Sequence, residues 1–69
     1  MLTDKQAVSK IRKAFNKSTY KEFEEEVNFY VDLITATSYA WDFEFHGERT
    51  QIKCDKRTGK IEFRSTPLY

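Results

Sequence analysis

An alternating aromatic run, Tyr-Ala-Trp-Asp-Phe-Glu-Phe at residues 39–45, constrains the fold more than any other segment of this chain. In a β-strand, successive side chains point to opposite faces, so the run has one aromatic face and one face that is small or acidic. If the aromatic face lies in the core, the run explains the architecture. If that face is exposed, the run forms a binding platform, and the rest of the sequence has to decide between the two.

Two further strands follow this run. We predict strands at about 39–46, 50–55 and 60–64, joined as an antiparallel meander. Turn residues separate them, and Gly59 suits a left-handed position before the third strand. The apolar side chains of the later strands share the aromatic face, whereas the opposite face mixes both charge signs. These later apolar residues are Ile52, Cys54, Ile61 and Phe63.

The N-terminal half contains two helix starts of the same type. Thr3 with Gln6, and Thr19 with Glu22, match the capping box, in which each side chain bonds the other residue's backbone amide. Apolar residues then recur with helical spacing, which predicts helices at about 4–15 and about 20–34. Residues 29–37 are also rich in β-formers. A helix that ends near residue 28, followed by an additional strand, is therefore the alternative.

The predicted fold is α+β in one small domain, residues 1–69. Two N-terminal helices pack on one face of a three-stranded antiparallel β-meander, and a short tail follows at 65–69. The alternative has one or two helices with a four-stranded sheet, in which residues 29–37 are the extra strand. Either arrangement covers the aromatic run, so we predict that Tyr39–Phe45 faces the core. A chain this short buries only about 60% of its unfolded surface, so homodimerisation stays open as a second route to stability.

Catalytic and metal-binding chemistry find little support in the sequence. The single cysteine, Cys54, excludes an intrachain disulfide and suits a small core residue of a cytoplasmic protein. The single histidine, His46, is expected at an exposed strand end, on the same face as Glu44. One Cys and one His do not make a zinc site, and two glycines are too few for a phosphate-binding loop. We predict a non-enzymatic protein with no catalytic residue, no metal site and no cofactor.

Charge is arranged in three blocks, although the net charge is only +1. Residues 1–21 hold six basic residues and one acid, residues 22–47 hold seven acids and no Lys or Arg, and residues 48–69 hold six basic residues and three acids. Such blocks either pair with one another in the fold or leave faces of opposite sign. The candidate partner-binding residues are Lys10, Arg12, Lys13 and Lys17 on or just after the basic first helix, Glu24 and Glu25 on the acidic one, and Phe29 off the main apolar stripe.

These features predict a small intracellular binding or regulatory protein that acts through charged surface on a macromolecular partner. A protein partner is the interpretation we favour. One alternative is nucleic-acid binding through the basic first helix. Another is an inhibitor encoded by a mobile element, whose acidic surface mimics nucleic acid. No apolar run is long enough to cross a membrane, so no membrane partner is expected.

Overall fold

The structure, a computed structural model, describes residues 1–68 and begins with one regular helix. Helix α1 spans Asp4–Lys17. Thr3 Oγ1 accepts from the Gln6 amide at 3.2 Å, and the Thr3 amide donates to Gln6 Oε1 at 2.9 Å, which confirms the predicted capping box. The helix buries Ala7, Ile11 and Phe15, whose spacing of four residues places them along one side.

The second predicted helix, residues 20–34, is wrong over most of its length. A 3₁₀ helix spans Thr19–Glu26 with a kink at Phe23, where φ is −118° and ψ is 30°. The second capping box does not form, because the N-cap is Ser18 and its side chain makes no capping hydrogen bond. The chain then becomes extended, as the alternative interpretation of residues 29–37 proposed.

This extended stretch contains two short strands, β1 (Asn28–Phe29) and β2 (Leu33–Ile34). The long strands follow as β3 (Ser38–Phe45), β4 (Glu48–Asp55) and β5 (Ile61–Pro67). The predicted β3–β4–β5 meander is present, but the antiparallel sheet has five strands, because β1 and β2 both pair with β3. The three-stranded prediction is therefore partly wrong, and the alternative with an extra strand is closer to the observed sheet.

A β-bulge separates β1 from β2. Phe29 lies opposite Phe43, whereas Leu33 lies opposite Ala40, so three residues of one strand face two of the other. The Tyr30 amide still donates to the Asp42 carbonyl oxygen at 2.8 Å. Residues 27–34 thus obtain backbone hydrogen bonds from the edge of β3. In this context, pairing along β3 prevails over the helical periodicity of the side chains.

The core lies between α1 and the aromatic face of β3, as predicted. Phe15 meets Phe43 edge-to-face, with ring centres 5.9 Å apart and planes at 89°. Both rings are fully or almost fully buried, and burying a side chain of this size contributes about 1.5–3 kcal/mol. The fully buried Ile52 and Cys54 extend this layer onto β4. Gly59 has the predicted left-handed conformation, with φ of 75°.

The C-terminus differs from the prediction. The proposed tail at 65–69 is wrong for residues 65–67, which belong to β5. Leu68 follows the strand, and its amide donates to the Gly47 carbonyl oxygen at 3.0 Å. The last residue of the predicted tail, Tyr69, lies outside the described residues. Among residues 1–68, no helix has both the length and the apolar character needed to cross a membrane.

Candidate functional site

The outer face of α1 carries a row of lysines, which we call the basic row: Lys10, Lys13 and Lys17. Spacings of three and four residues place these side chains along one side of the helix, and all three are exposed. Within residues 1–68, none of them forms an ion pair with a carboxylate. The basic row therefore presents its charge to solvent.

The basic row reaches the turn between β4 and β5. A Cβ atom placed on Gly59 would lie 3.3 Å from Lys10 Cε, so the stem of Lys10 runs directly over this glycine. A residue with a side chain would disturb both this contact and the left-handed backbone of the turn. The turn's own charges are paired: Arg57 contacts Asp55 at 3.4 Å, and Lys60 contacts Glu62 at 3.8 Å.

Arg12 belongs to a different surface from the basic row. Its guanidinium carbon lies 5.8 Å from the ring centre of Trp41, in a cation–π arrangement. It forms no carboxylate ion pair among residues 1–68. The sequence grouped Arg12 with the lysines, but the turn of the helix directs it toward the edge formed by β1 and β2.

The two acidic candidates lie on the 3₁₀ helix and differ in their partners. Glu24 pairs with Lys21 at 2.7 Å. Glu25 is exposed and forms no ion pair in the described chain. The neighbouring Glu26 contacts His46 at 2.7 Å, and His46 is exposed, as expected. Among the described residues, no three or more His, Cys, Asp or Glu side chains form a group that could hold a metal.

Phe29 is half core and half surface. Its ring centre lies 5.7 Å from Phe15, 5.7 Å from Trp41 and 5.5 Å from Phe43, so one side joins the aromatic core. Nearly half of the residue, 48%, remains exposed. Phe29 thus packs on the core aromatics at the edge of the sheet and leaves part of its ring open to solvent.

A groove of about 700 Å³ runs between α1 and this sheet edge. Phe29 and Trp41 contribute aromatic surface, and the charged lining is balanced: two cations, Arg12 and Lys21, and two anions, Glu24 and Asp32. The Tyr39 hydroxyl donates to Asp32 Oδ2 at 2.5 Å. This hydrogen bond, together with burial and the charges of nearby acids, raises the pKa of Tyr39 to about 12.

The opposite face of the sheet carries an ion pair between a buried carboxylate, Asp42, and a half-exposed arginine, Arg49, which the sequence analysis did not identify. Asp42 is 3% exposed, and Arg49 Nε donates to its two carboxylate oxygens at 3.0 and 3.2 Å. The guanidinium also lies 4.8 Å from the ring centre of Tyr30. The hydrogen bond to Asp42 is the largest cause that raises the pKa of Arg49. The signal in the sequence was an acid and a base on the same face of adjacent strands.

Cys54 occupies the predicted core position. It is fully buried, and burial is the main cause that raises the pKa of its thiol. A raised pKa lowers the thiolate fraction at neutral pH, and the thiolate is the reactive form. The local geometry thus suits packing.

Comparison of the chain with models of protein families, with curated proteins and with solved structures found no match.

Proposed function

We propose that this is a non-enzymatic binding protein that holds an acidic macromolecule against the outer face of α1. The observation that supports this proposal most directly is the basic row, whose three ammonium groups have no carboxylate partner among residues 1–68. Three unpaired cations on one side of a rigid helix produce a local positive potential, despite the net charge of +1.

The partner we favour is a protein with an acidic surface. The basic row extends over eight residues, from Lys10 to Lys17, which corresponds to about 10 Å along the helix axis. A row of this length can face a few carboxylates on the surface of a folded protein. Charges at the rim of such an interface mainly increase the rate of association. The helix is held by its buried side and its N-terminal cap, so the lysines are presented on a fixed backbone.

The test compares two variants with the same change of net charge. In the first, Lys10, Lys13 and Lys17 are replaced by Gln. In the control, Gln replaces Lys53 and Arg64 on the sheet and Lys60 in the turn before β5. Affinity purification from the native cell, after nuclease treatment, should recover an acidic protein with the wild type and the control, but not with the first variant. Equal recovery by both variants would exclude the basic row as the binding surface.

Nucleic acid is the second candidate partner, and a specific observation favours it. The acidic 3₁₀ helix follows α1 directly, yet among residues 1–68 its glutamates pair with Lys21 and His46, and neither of these residues belongs to α1. The positive charge of α1 is therefore not neutralised by the adjacent acids. Lysines that bind phosphates displace the counterions of the nucleic acid, so the affinity for nucleic acid falls steeply as the salt concentration rises. Binding to DNA or RNA at low salt that Lys10→Glu with Lys13→Glu abolishes would support this candidate; absence of binding would remove it.

A further inference from the structure

The edge segment, residues 28–34, is the most apolar exposed part of the chain. Val31 is 85% exposed and Ile34 is 54% exposed, and Phe29, Tyr30 and Leu33 are each more than two-fifths exposed. The opposite edge of the sheet, β5, is protected against pairing with another chain. It carries Glu62 and Arg64, and it ends at Pro67, which has no amide to donate.

The backbone of the edge segment offers hydrogen-bonding groups at two places. The Tyr30 amide donates to Asp42 and the Thr35 amide donates to Ser38, so both residues face β3. In an antiparallel ladder, each neighbouring residue points its N–H and C=O the other way. Phe29 and Ile34 therefore direct these groups away from β3, toward solvent.

The side chains of the edge segment are arranged symmetrically about its midpoint. Phe29 lies opposite Phe43 and Ile34 opposite Tyr39, so both project from the face that α1 covers. Tyr30 lies against Arg49 and Leu33 lies opposite Ala40, so both belong to the other face. In a regular strand Phe29 and Ile34 would project from opposite faces, because their separation is an odd number of residues. The bulge removes that mismatch.

We propose that the edge segment pairs antiparallel with the edge segment of a second copy of this chain, around a two-fold axis between Val31 and Asp32. Phe29 then lies opposite Ile34 of the partner subunit, and both residues direct their backbone groups outward. Tyr30 lies opposite Leu33 of the partner subunit on the other face. This register joins residues that share a face and satisfies both pairs of outward-pointing backbone groups.

Charge complementarity supports the same occupant. The groove lies beside the edge segment, and its charged lining has two cations and two anions. A two-fold axis at this edge places the grooves of the two copies side by side. Arg12, which has no carboxylate partner in the described part of the chain, is then available to the anions of the neighbouring groove.

The pairing closes after two copies. Both copies contribute the same edge segment, so the contact is isologous and produces a dimer instead of a filament. The protected edge at β5 takes no part. Because of the bulge, backbone hydrogen bonds between the two copies form only near the two ends of the edge segment, at Phe29 and Ile34. The apolar side chains therefore contribute most of the stabilisation of the dimer. An interface this short suits a dissociation constant on the order of micromolar. The surface is separate from the basic row, so the dimer is independent of the proposed function.

Sedimentation equilibrium across about 1 μM to 1 mM protein tests the proposal, because this range spans the expected dissociation constant. Ile34→Lys places a charge in the interface. Phe63→Lys is the matched control, since Phe63 is 47% exposed on β5. Wild type and control should dimerise, and Ile34→Lys should weaken dimerisation by more than about tenfold. A monomeric wild type, or equal dimerisation by both variants, would overturn the proposal. Circular dichroism shows whether each variant folds.

A second experiment tests the register. Tyr30 and Leu33 of the two copies form a non-hydrogen-bonded pair, whose Cα atoms lie about 4.5 Å apart, within disulfide range. Equimolar Tyr30→Cys and Leu33→Cys chains should oxidise mainly to the mixed dimer, because these two positions lie opposite each other across the interface. Cys54 should not compete, because it is fully buried. A mixture that yields no excess of mixed dimer over the two same-variant dimers would exclude this register.

Discussion

The ammonium group of Lys56 donates a hydrogen bond to the carbonyl oxygen of Thr35 at 2.7 Å, although the residues lie 21 positions apart. The same ammonium pairs with Asp4 at the start of α1. The backbone of Lys56 contributes as well: its amide donates to Thr37 at 2.8 Å, and its carbonyl accepts from Leu2 at 2.7 Å. One buried lysine thus joins the helix start, the β2–β3 turn and the β4–β5 turn.

Replacing Lys56 by Met should lower the free energy of unfolding by about 1–3 kcal/mol, because a charged hydrogen bond to Thr35 and an ion pair with Asp4 are lost. The methionine retains most of the side-chain volume, so packing changes little. Lys53→Met, at an exposed sheet position, is the control and should change stability by less than about 0.5 kcal/mol. Urea denaturation measures both. Equal effects would show that the buried ammonium adds nothing specific.

Arg49→Met should destabilise the protein by about 2 kcal/mol or more, since it leaves the buried Asp42 carboxylate without its cation. Arg64→Met removes an arginine from the same face of the sheet and serves as the control. The comparison is made by thermal unfolding at neutral pH. A loss of stability in Arg49→Met no larger than in Arg64→Met would contradict the view that the buried Asp42 carboxylate depends on Arg49.

The titration of Tyr39 tests the hydrogen bond to Asp32. Tyr39 should ionise with a pKa of about 12 instead of the ordinary 10.0. The native state then holds this proton more tightly than the unfolded chain. Its contribution to stability is therefore complete below pH 10.0 and is lost as the pH rises through about 12.

Asp32→Asn removes the charge and weakens the acceptor for Tyr39, so the pKa of Tyr39 should fall toward 10.0. The ultraviolet absorbance of tyrosinate, followed against pH, measures this shift. Glu25→Gln also removes one carboxylate and should leave the Tyr39 titration unchanged. If Asp32→Asn and the wild type titrate alike, the hydrogen bond is not what raises the pKa.

The two capping-box sequences should respond differently to the same substitution. Thr3→Ala removes a hydroxyl that caps α1 and should cost about 1 kcal/mol of stability. Thr19→Ala should have a much smaller effect, because the 3₁₀ helix receives no side-chain cap. Chemical denaturation of both variants decides the matter. A larger loss for Thr19→Ala would mean that the second box contributes to the fold after all.

Local chemistry was sufficient to predict the parts of the fold whose pattern has only one solution. The Thr3 capping box, the apolar spacing through Phe15 and the alternation of Tyr39–Phe45 each require one periodicity. Residues 20–34 supported two periodicities at once. The choice there depended on β3, which offers hydrogen bonds along its edge that no local pattern encodes.

For the candidate surface residues too, the sequence predicted some features, and others depended on the tertiary structure. The sequence indicated that Lys10, Lys13 and Lys17 would be exposed, because they lie opposite the apolar stripe of α1. Whether the acids of the next segment neutralise them depended on distances between elements. The partners of the buried Lys56 were beyond prediction, since the fold alone brings Asp4, Thr35 and Lys56 together. The Asp42–Arg49 pair was missed although both residues lie in the predicted hairpin.

The sequence by itself therefore determined the α+β class, the first helix, the β-meander and the aromatic face that forms the core. These follow from side-chain periodicity and capping, which act over a few residues. The tertiary structure decided the fate of residues 27–34, the separation of Arg12 from the basic row, and the partners of Lys56 and Asp42. The position of Arg12 follows from the rotation of the helix relative to the sheet, and the others depend on contacts between different elements, whose energies exist only once the sheet has assembled.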